Sequence, residues 1–271
     1  MSFLQHFSLF KGKNRIAWLL YGNKIRNAKD VIVNGKLGLR YKLPNLKESI
    51  AFSIFVNGIY EEANIRFIVE NLPPDSVLLD LGANIGSISM PVARLRPDVR
   101  IIGIEASPRV FSYLKHNIEL NKISNIEIIN LALSDKDNDM VSFYSPEEKF
   151  GKGSMSPVFT DKAETIKTIT LDTLLEDRKI YNVGFVKIDV EGYENLVFRG
   201  GNRLFSGSTP PPVLFEFADW AENQAHGAKA GDAQKFLLSY GYSLFNVDDP
   251  QQIKPVDDHY KSGTHMMFAK K

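Results

Sequence analysis

From residue 77 onward, short apolar runs alternate with segments of helical periodicity. That order restricts the chain to a mostly parallel sheet covered by helices on both faces. Val77 to Leu81 is a buried-strand run, followed by a glycine-rich turn and a helix reaching about Arg96. Val99 to Glu105 reads as the second strand, Pro108 to Asn121 as a helix with Pro108 in its first turn, and Ile126 to Leu133 as the third strand. Phe185 to Val190, Val213 to Phe217, Tyr242 to Val247 and His265 to Ala269 supply four more, with helices over Tyr193 to Leu204 and Asp232 to Tyr240. The last two strands have no helix between them, so an antiparallel last edge strand is expected on a doubly wound α/β sheet. Ligands of such sheets bind beyond the strand C-termini, where the strand order reverses.

Residues 1 to 75 show no such alternation, although Ala63 to Leu72 has helical spacing and ends at Pro73-Pro74. Residues 1–55 therefore read as an N-terminal extension packing on or capping the core, and 56–271 as the ligand-binding sheet domain, with an insertion at about 136–170. In the insertion the pattern loosens into Asp, Ser, Gly and Lys, with strand-like pieces at Val141 to Tyr144 and Thr165 to Leu171. Asp172 is expected to cap a short helix through Leu175. Net charge is +1, against the basic excess that nucleic-acid binding rewards, so no nucleic-acid partner is expected. With no cysteine, thiolate zinc sites and thiol nucleophiles are excluded, and the cytoplasm is the expected compartment. The early apolar run Ile16 to Tyr21 is far short of the roughly 20 residues that span a bilayer. The first 30 residues mix exposed-type apolar and basic residues, which leaves peripheral membrane contact as a lesser alternative to packing on the core or dimerisation.

The most specific motif follows the first strand. Asp80-Leu81-Gly82-Ala83-Asn84-Ile85-Gly86 puts an acid at a strand end and glycines four apart in the turn. The dinucleotide pattern G-x-G-x-x-G fails, because Asn84 and Ser87 stand where its later glycines belong. A carboxylate in the turn also repels pyrophosphate and suits a cationic amino group. Glu105, nineteen residues after Gly86, ends the second strand where it can accept hydrogen bonds from two ribose hydroxyls. Asn130 to Asp135 falls where polar groups could edge an adenine ring.

Together with these come Glu105-Ala106-Ser107-Pro108, Asn117 with Asn121, Asn130-Leu131-Ala132-Leu133-Ser134-Asp135, Thr170-Leu171-Asp172 and Lys187-Ile188-Asp189-Val190-Glu191-Gly192. In order and spacing the set resembles the FkbM family of methyltransferases over about residues 55 to 220, with Gly58-x-Tyr60-Glu61 a weaker upstream match. The resemblance implies a class I methyltransferase Rossmann-like sheet. It also implies methyl transfer from S-adenosyl-L-methionine, usually to a hydroxyl of a sugar, polysaccharide, glycolipid or polyketide. Glu61, Asp80, Gly82, Ala83, Asn84, Gly86, Ser87, Glu105, Ala106, Ser107, Leu131, Ala132 and Asp189 are the expected donor-site residues.

Enzymes that methylate planar nitrogens resemble one another in an Asn or Asp before Pro-Pro and an aromatic after the fourth strand. Here Asp189-Val190-Glu191-Gly192 stands there, which favours oxygen and a small-molecule or glycan acceptor. Asp189 and Glu191 are the candidate general bases, with Lys187 two residues back on the same strand face to orient a carboxylate. Asp189 with Glu216 could alternatively hold Mg²⁺ against a vicinal diol, and a non-catalytic binding module is a further alternative. Gly151 to Ser156 has the composition of a lid, Phe217 and Trp220 could stack on a sugar, and His226 follows the fifth strand in a plausible acceptor loop.

Overall fold

The computed structural model describes residues 2–7, 10–225, 227–250 and 252–271, so His226 lies outside the described residues. Ahead of residue 77 it contains more order than periodicity suggests. A 3₁₀ turn at Phe3–His6 precedes helix α1 (Lys13–Asn27), a hairpin of β1 (Val31–Asn34) and β2 (Arg40–Leu43), and helices α2 (Ser49–Asn57) and α3 (Glu62–Asn71). The hairpin strands are only four residues each, too short for alternation to register.

The remaining elements are β3 (Val77–Leu81), α4 (Ser89–Leu95), β4 (Arg100–Ile104), α5 (Pro108–Asn121), β5 (Ile126–Ile129), β6 (Ala132–Leu133), β7 (Met140–Tyr144) and β8 (Ala163–Ile169). After these come α6 (Leu171–Asp177), β9 (Val183–Ile188), α7 (Glu194–Gly200), α8 (Asn202–Ser206), β10 (Val213–Ala218), α9 (Asp219–Glu222), α10 (Asp232–Ser239), β11 (Ser243–Asn246), β12 (Lys254–Val256) and β13 (Thr264–Lys270). Eight strands form one sheet in the order β12-β11-β13-β10-β9-β3-β4-β5. Strands β5, β4, β3, β9 and β10 are parallel, whereas β13 runs antiparallel between β10 and β11, and β12 adds an antiparallel edge outside β11. The mostly parallel α/β sheet with an antiparallel end is thus present, and the final strand inserts inside the sixth.

Alternate residues of the central strands feed two cores. Leu79, Leu81, Ile102, Val186 and Phe215 pack against α6, α7 and α10, while Leu78, Ile101, Phe185 and Leu214 pack against α3 and α4. A third cluster joins the N-terminal segment to α5 through Ile25, Tyr41, Leu43, Phe55, Val110 and Leu114.

Three expected boundaries move. The third strand divides, because the Asn130 amide donates to the carbonyls of Glu105 and Ala106 at 2.8 and 3.0 Å and turns the chain out of the main sheet. Ala132–Leu133 then pairs with β8 in a separate three-stranded sheet, β6-β8-β7, that carries the insertion. Thr170, not Asp172, caps α6, its hydroxyl accepting from Thr173 N–H; the Asp172 carboxylate instead accepts from the N–H groups of Arg203 and Leu204 at 2.8 and 3.2 Å. The expected helix over Tyr193 to Leu204 breaks at Gly200-Gly201, where a Cβ on Gly200 would lie 2.1 Å from the Ser134 carbonyl.

Asn117 and Asn121, one turn apart on α5, clasp β2 as a neighbouring strand would. Asn117 Oδ1 accepts from Lys42 N–H at 2.6 Å and its amide donates to Ile85 O at 3.0 Å, while Asn121 accepts from Arg40 N–H at 2.8 Å and donates to Arg40 O at 2.6 Å. The edge of a two-stranded hairpin is thereby satisfied by side chains. Asn117→Ala leaves a buried amide and carbonyl unpaired and is expected to lower stability by about 2–4 kcal/mol in urea unfolding, with the fold retained.

Candidate active site

After β3 the chain moves outward to β4 and β5 and then returns to β9 on the other side of β3. The loops leaving β3 and β9 therefore diverge, and the crevice between them is where a doubly wound sheet takes a ligand. A cavity of about 1120 Å³, counting its open mouth, lies there.

Its floor rests on an ion pair. Asp80 and Lys187 are register partners on adjacent strands and so share a sheet face. Asp80 is wholly buried, accepts a hydrogen bond from the Ser89 hydroxyl, and faces the Lys187 ammonium at 3.4 Å. Lys187 donates to the Gly82 carbonyl at 3.2 Å and stands 3.6 Å from the Asp189 carboxylate. Burial opposes its charge, yet Asp80, then Asp189, outweigh that and hold its pKa above the ordinary lysine value. One ammonium thus ties both diverging loops. Gly82, at φ 82°, completes the junction, since a Cβ there would lie 1.9 Å from the Asp189 carbonyl.

Three of the expected donor-site residues stand outside the cavity lining: the Asp80 carboxylate faces Ser89 and Lys187; Gly86 lies against Leu114 and Met90; and Ser107 uses its hydroxyl to cap α5. The close approach at Gly82 is to protein backbone. Glu61, Gly82, Ala83, Asn84, Ser87, Glu105, Ala106, Leu131, Ala132 and Asp189 do line it. Glu105 is fixed by N–H groups of Asn84 and Ser107 at 2.9 and 2.8 Å. Burial pushes its carboxyl up to about 7 against the pull of those two amides. The stretch from Asn130 contributes an apolar surface, Leu131, Ala132 and Leu133, in place of the polar edge expected there.

At the other end Lys187, Asp189 and Glu191 reach one wall. Glu191 has the left-handed φ of 52°, and the N–H groups flanking it, on Val190 and Gly192, are both accepted by the buried Glu194 carboxylate at 3.0 and 3.4 Å. The strained turn aims Glu191 inward. One oxygen meets Lys152 at 2.8 Å, and the other is buried without a hydrogen-bond partner among the described residues. Burial, then repulsion from Asp189, raises its pKa; Glu216, opposite, is raised for the same two reasons.

Several lining residues carry weak sequence signals or none: Glu48, Tyr60, Phe143, Phe150, Lys152, Met155 and Tyr193. Glu48 caps α2 through the N–H groups of Ile50 and Ala51, so only Asn45-x-x-Glu48 hinted at it. Lys152 and Met155 lie in the Gly151 to Ser156 stretch, which is pinned over the cavity by Ser154 Oγ on the Glu191 carbonyl and by the Ser156–Tyr193 hydroxyl pair. Phe217 is fully buried in the core, whereas Trp220 remains partly exposed against Phe159. Among the described residues no group of three or more Asp, Glu, His or Cys could hold a metal, and no helix is long and apolar enough to cross a membrane.

Removing the ammonium leaves a buried carboxylate uncompensated. Lys187→Met is expected to cost about 3–5 kcal/mol in denaturant unfolding at neutral pH, and an unchanged midpoint would show that the pair does not hold the floor.

Comparison with known proteins agrees with this geometry. The model of the methyltransferase FkbM domain matches residues 80–244. Methyltransferase 1 of Beauveria bassiana is 25% identical over 185 residues, 59% of this chain and 70% of that protein. The hexuronic acid methyltransferase AglP of Haloferax volcanii is 30% identical over 140 residues, 52% of this chain and 56% of that protein. The 2-O-methyltransferase NoeI of Sinorhizobium fredii is 25% identical over 188 residues, 59% and 76% of the two chains. With the matched stretch running from the Asp80 turn through β9 to β11, the chain belongs to the FkbM methyltransferase family and is an S-adenosylmethionine-dependent methyltransferase.

Proposed function

We propose that the chain methylates a hydroxyl oxygen of a sugar, polysaccharide, glycolipid or polyketide acceptor, and that Glu191 is its general base. The observation that carries this reading is the cavity's acidity: Glu48, Glu61, Glu105, Asp189, Glu191 and Glu216 line it, against Lys152 and Lys187. Carboxylates accept hydrogen bonds from a polyhydroxylated acceptor and attract a sulfonium and an ammonium, while the same charges repel a phosphate backbone. Two of the relatives are named for a hexuronic acid and for 2-O-methylation, which accords with a carbohydrate-type acceptor.

The residues present fit the donor. Glu105 keeps lone pairs free beyond its two backbone amides and would receive the ribose hydroxyls, with Leu131, Ala132 and Leu133 against the adenine. Glu61 and Asp189 would face the amino group. When bound, the donor would supply a methyl carbon on a sulfonium, so that the acceptor oxygen would bond to that carbon as the carbon–sulfur bond breaks and the neutral thioether leaves. Alignment of the two reactants accounts for most of what the protein must add. Glu191 takes the hydroxyl proton on its unpartnered oxygen, and Lys152 stabilises its ionised form while leaving that oxygen free. Asp189 is held by Lys187 and, by its charge, keeps Glu191 basic enough to compete for the proton.

Two outcomes check the donor and acceptor ends separately. Burial makes the native state hold the Glu105 proton more tightly than the unfolded chain, so ligand-free stability falls as pH rises from the ordinary value of 4.5 to about 7. Donor affinity should do the opposite, rising through that window as the carboxylate ionises. In calorimetry Glu105→Gln is expected to lose about tenfold to a hundredfold in affinity and to flatten this rise; a mutant with native affinity would displace the ribose site.

Glu191→Gln is expected to lower kcat by about 10² to 10⁴-fold, with donor affinity within about threefold of the parent. The parent kcat should climb with pH through an inflection above the usual glutamate range, because the base acts only when ionised, and the mutant should lack it. The measurement is transfer of isotope-labelled methyl to a panel of glycans and polyketides, with the product bond read by mass spectrometry. Labelled nitrogen products in place of ethers would overturn the oxygen assignment.

A further inference from the structure

Residues 1–29 contain six Lys and Arg and no Asp or Glu; the rest of the chain therefore carries 27 Lys and Arg against 32 acids. Of the fifteen large hydrophobic side chains exposed among the described residues, seven lie between Phe3 and Leu20. Both asymmetries meet on α1. Ala17, Tyr21 and Ile25, at i, i+4 and i+8, face the core cluster that also holds α2. The opposite face carries Ile16, Leu19, Leu20 and Asn23, at i, i+3, i+4 and i+7, with Leu19 84% exposed. At 100° per residue this outward stripe is flanked by Arg15 and Arg26 on one side and Lys24 on the other. Phe3, Phe7 and Phe10 are exposed in the segment just before it. Lys11, Arg15, Lys24, Arg26 and Lys29 are exposed, and among the described residues none of them takes part in an ion pair.

We propose that this face docks the enzyme on an anionic lipid bilayer, with Leu19 and Leu20 entering the interface and Arg15, Arg26 and Lys24 beside the headgroups. The α1 helix has two apolar sides, one for the protein core and one without an intramolecular partner among the described residues. That is why the sequence shows no single clean stripe there. Charge selects the occupant. A two-fold pairing of this face with a second copy would gather the Arg15 and Arg26 rows of both chains in one interface, where like charges repel. An anionic membrane surface satisfies the cations and the apolar stripe together, which no polar polymer does.

Sedimentation of the full chain with phosphatidylcholine vesicles, with and without about 30 mol % phosphatidylserine, tests the proposal. Binding to the anionic vesicles is expected to be at least about tenfold stronger and to weaken in high salt, since screening shortens the reach of the cations. The exposed pairs Leu19→Ser with Leu20→Ser, and Arg15→Gln with Arg26→Gln, should each remove most of that binding while leaving donor affinity unchanged. Equal binding to both vesicle types, or no binding to either, overturns the proposal. So does a dimer in sedimentation equilibrium that the Leu19→Ser, Leu20→Ser variant dissociates, because a second copy would then cover the face.

Discussion

A buried ammonium between two strands organises this molecule. Asp80 and Lys187 sit on neighbouring central strands, away from water, and Lys187 extends from there to the Gly82 carbonyl and the Asp189 carboxylate. A lone charge at that depth would neutralise or unfold its surroundings, so each partner requires the other. The consequence is geometric: the turn after β3 and the loop after β9, which diverge by topology, are tied at one point. Gly82, Ala83 and Asn84 of the first loop and Asp189, Val190 and Glu191 of the second line the cavity.

On that frame the site is divided by charge environment. Glu105 is immobilised by backbone amides and among the described residues forms no ion pair, so burial outweighs those amides and the more distant Lys187 and pushes its carboxyl up to about 7. Glu191 has a direct cation, yet burial and Asp189 together exceed it. Two glutamates of one cavity are thereby given different partners. The loop that presents Glu191 is itself held by Glu194, whose own carboxyl burial pushes up to about 8. Such a cluster of raised acids costs stability at neutral pH, and the clasp of β2 by Asn117 and Asn121 and the aromatic core around Phe198 lie on the compensating side.

The insertion and the N-terminal segment meet at the cavity, where a Cβ on Gly151 would lie 2.7 Å from Glu48 Oε1 and the Asn45 amide donates to the Glu148 carbonyl at 3.3 Å. Glu48 reaches it from the start of α2, whose Phe52 and Phe55 rings meet Trp18 and Tyr21 of α1. Phe150 and Lys152 reach it from the insertion, anchored on the Glu191 and Tyr193 side. The segment bearing the exposed cations of α1 is therefore continuous, through one helix pair, with the wall of the reaction cavity.

The sequence by itself determined the sheet, because a strand buried on both faces must be uniformly apolar and its helices must repeat at 3.6 residues; Val77–Leu81 and Pro108–Asn121 stand where those periods put them. It also determined the Asp80 turn, Glu105 and the Lys187-Ile188-Asp189-Val190-Glu191 run, since acids at strand ends are visible as breaks in apolar runs. What it could not fix was which of those acids face a ligand. Asp80 and Lys187 lie more than a hundred residues apart and neutralise each other only once β3 and β9 are neighbours, so only the tertiary structure showed Asp80 as the buried partner of a lysine. The same holds for Glu48 and Lys152, whose local sequence fits a helix cap and a surface loop. They line one cavity because long-range packing brings the N-terminal segment and the insertion over one crevice.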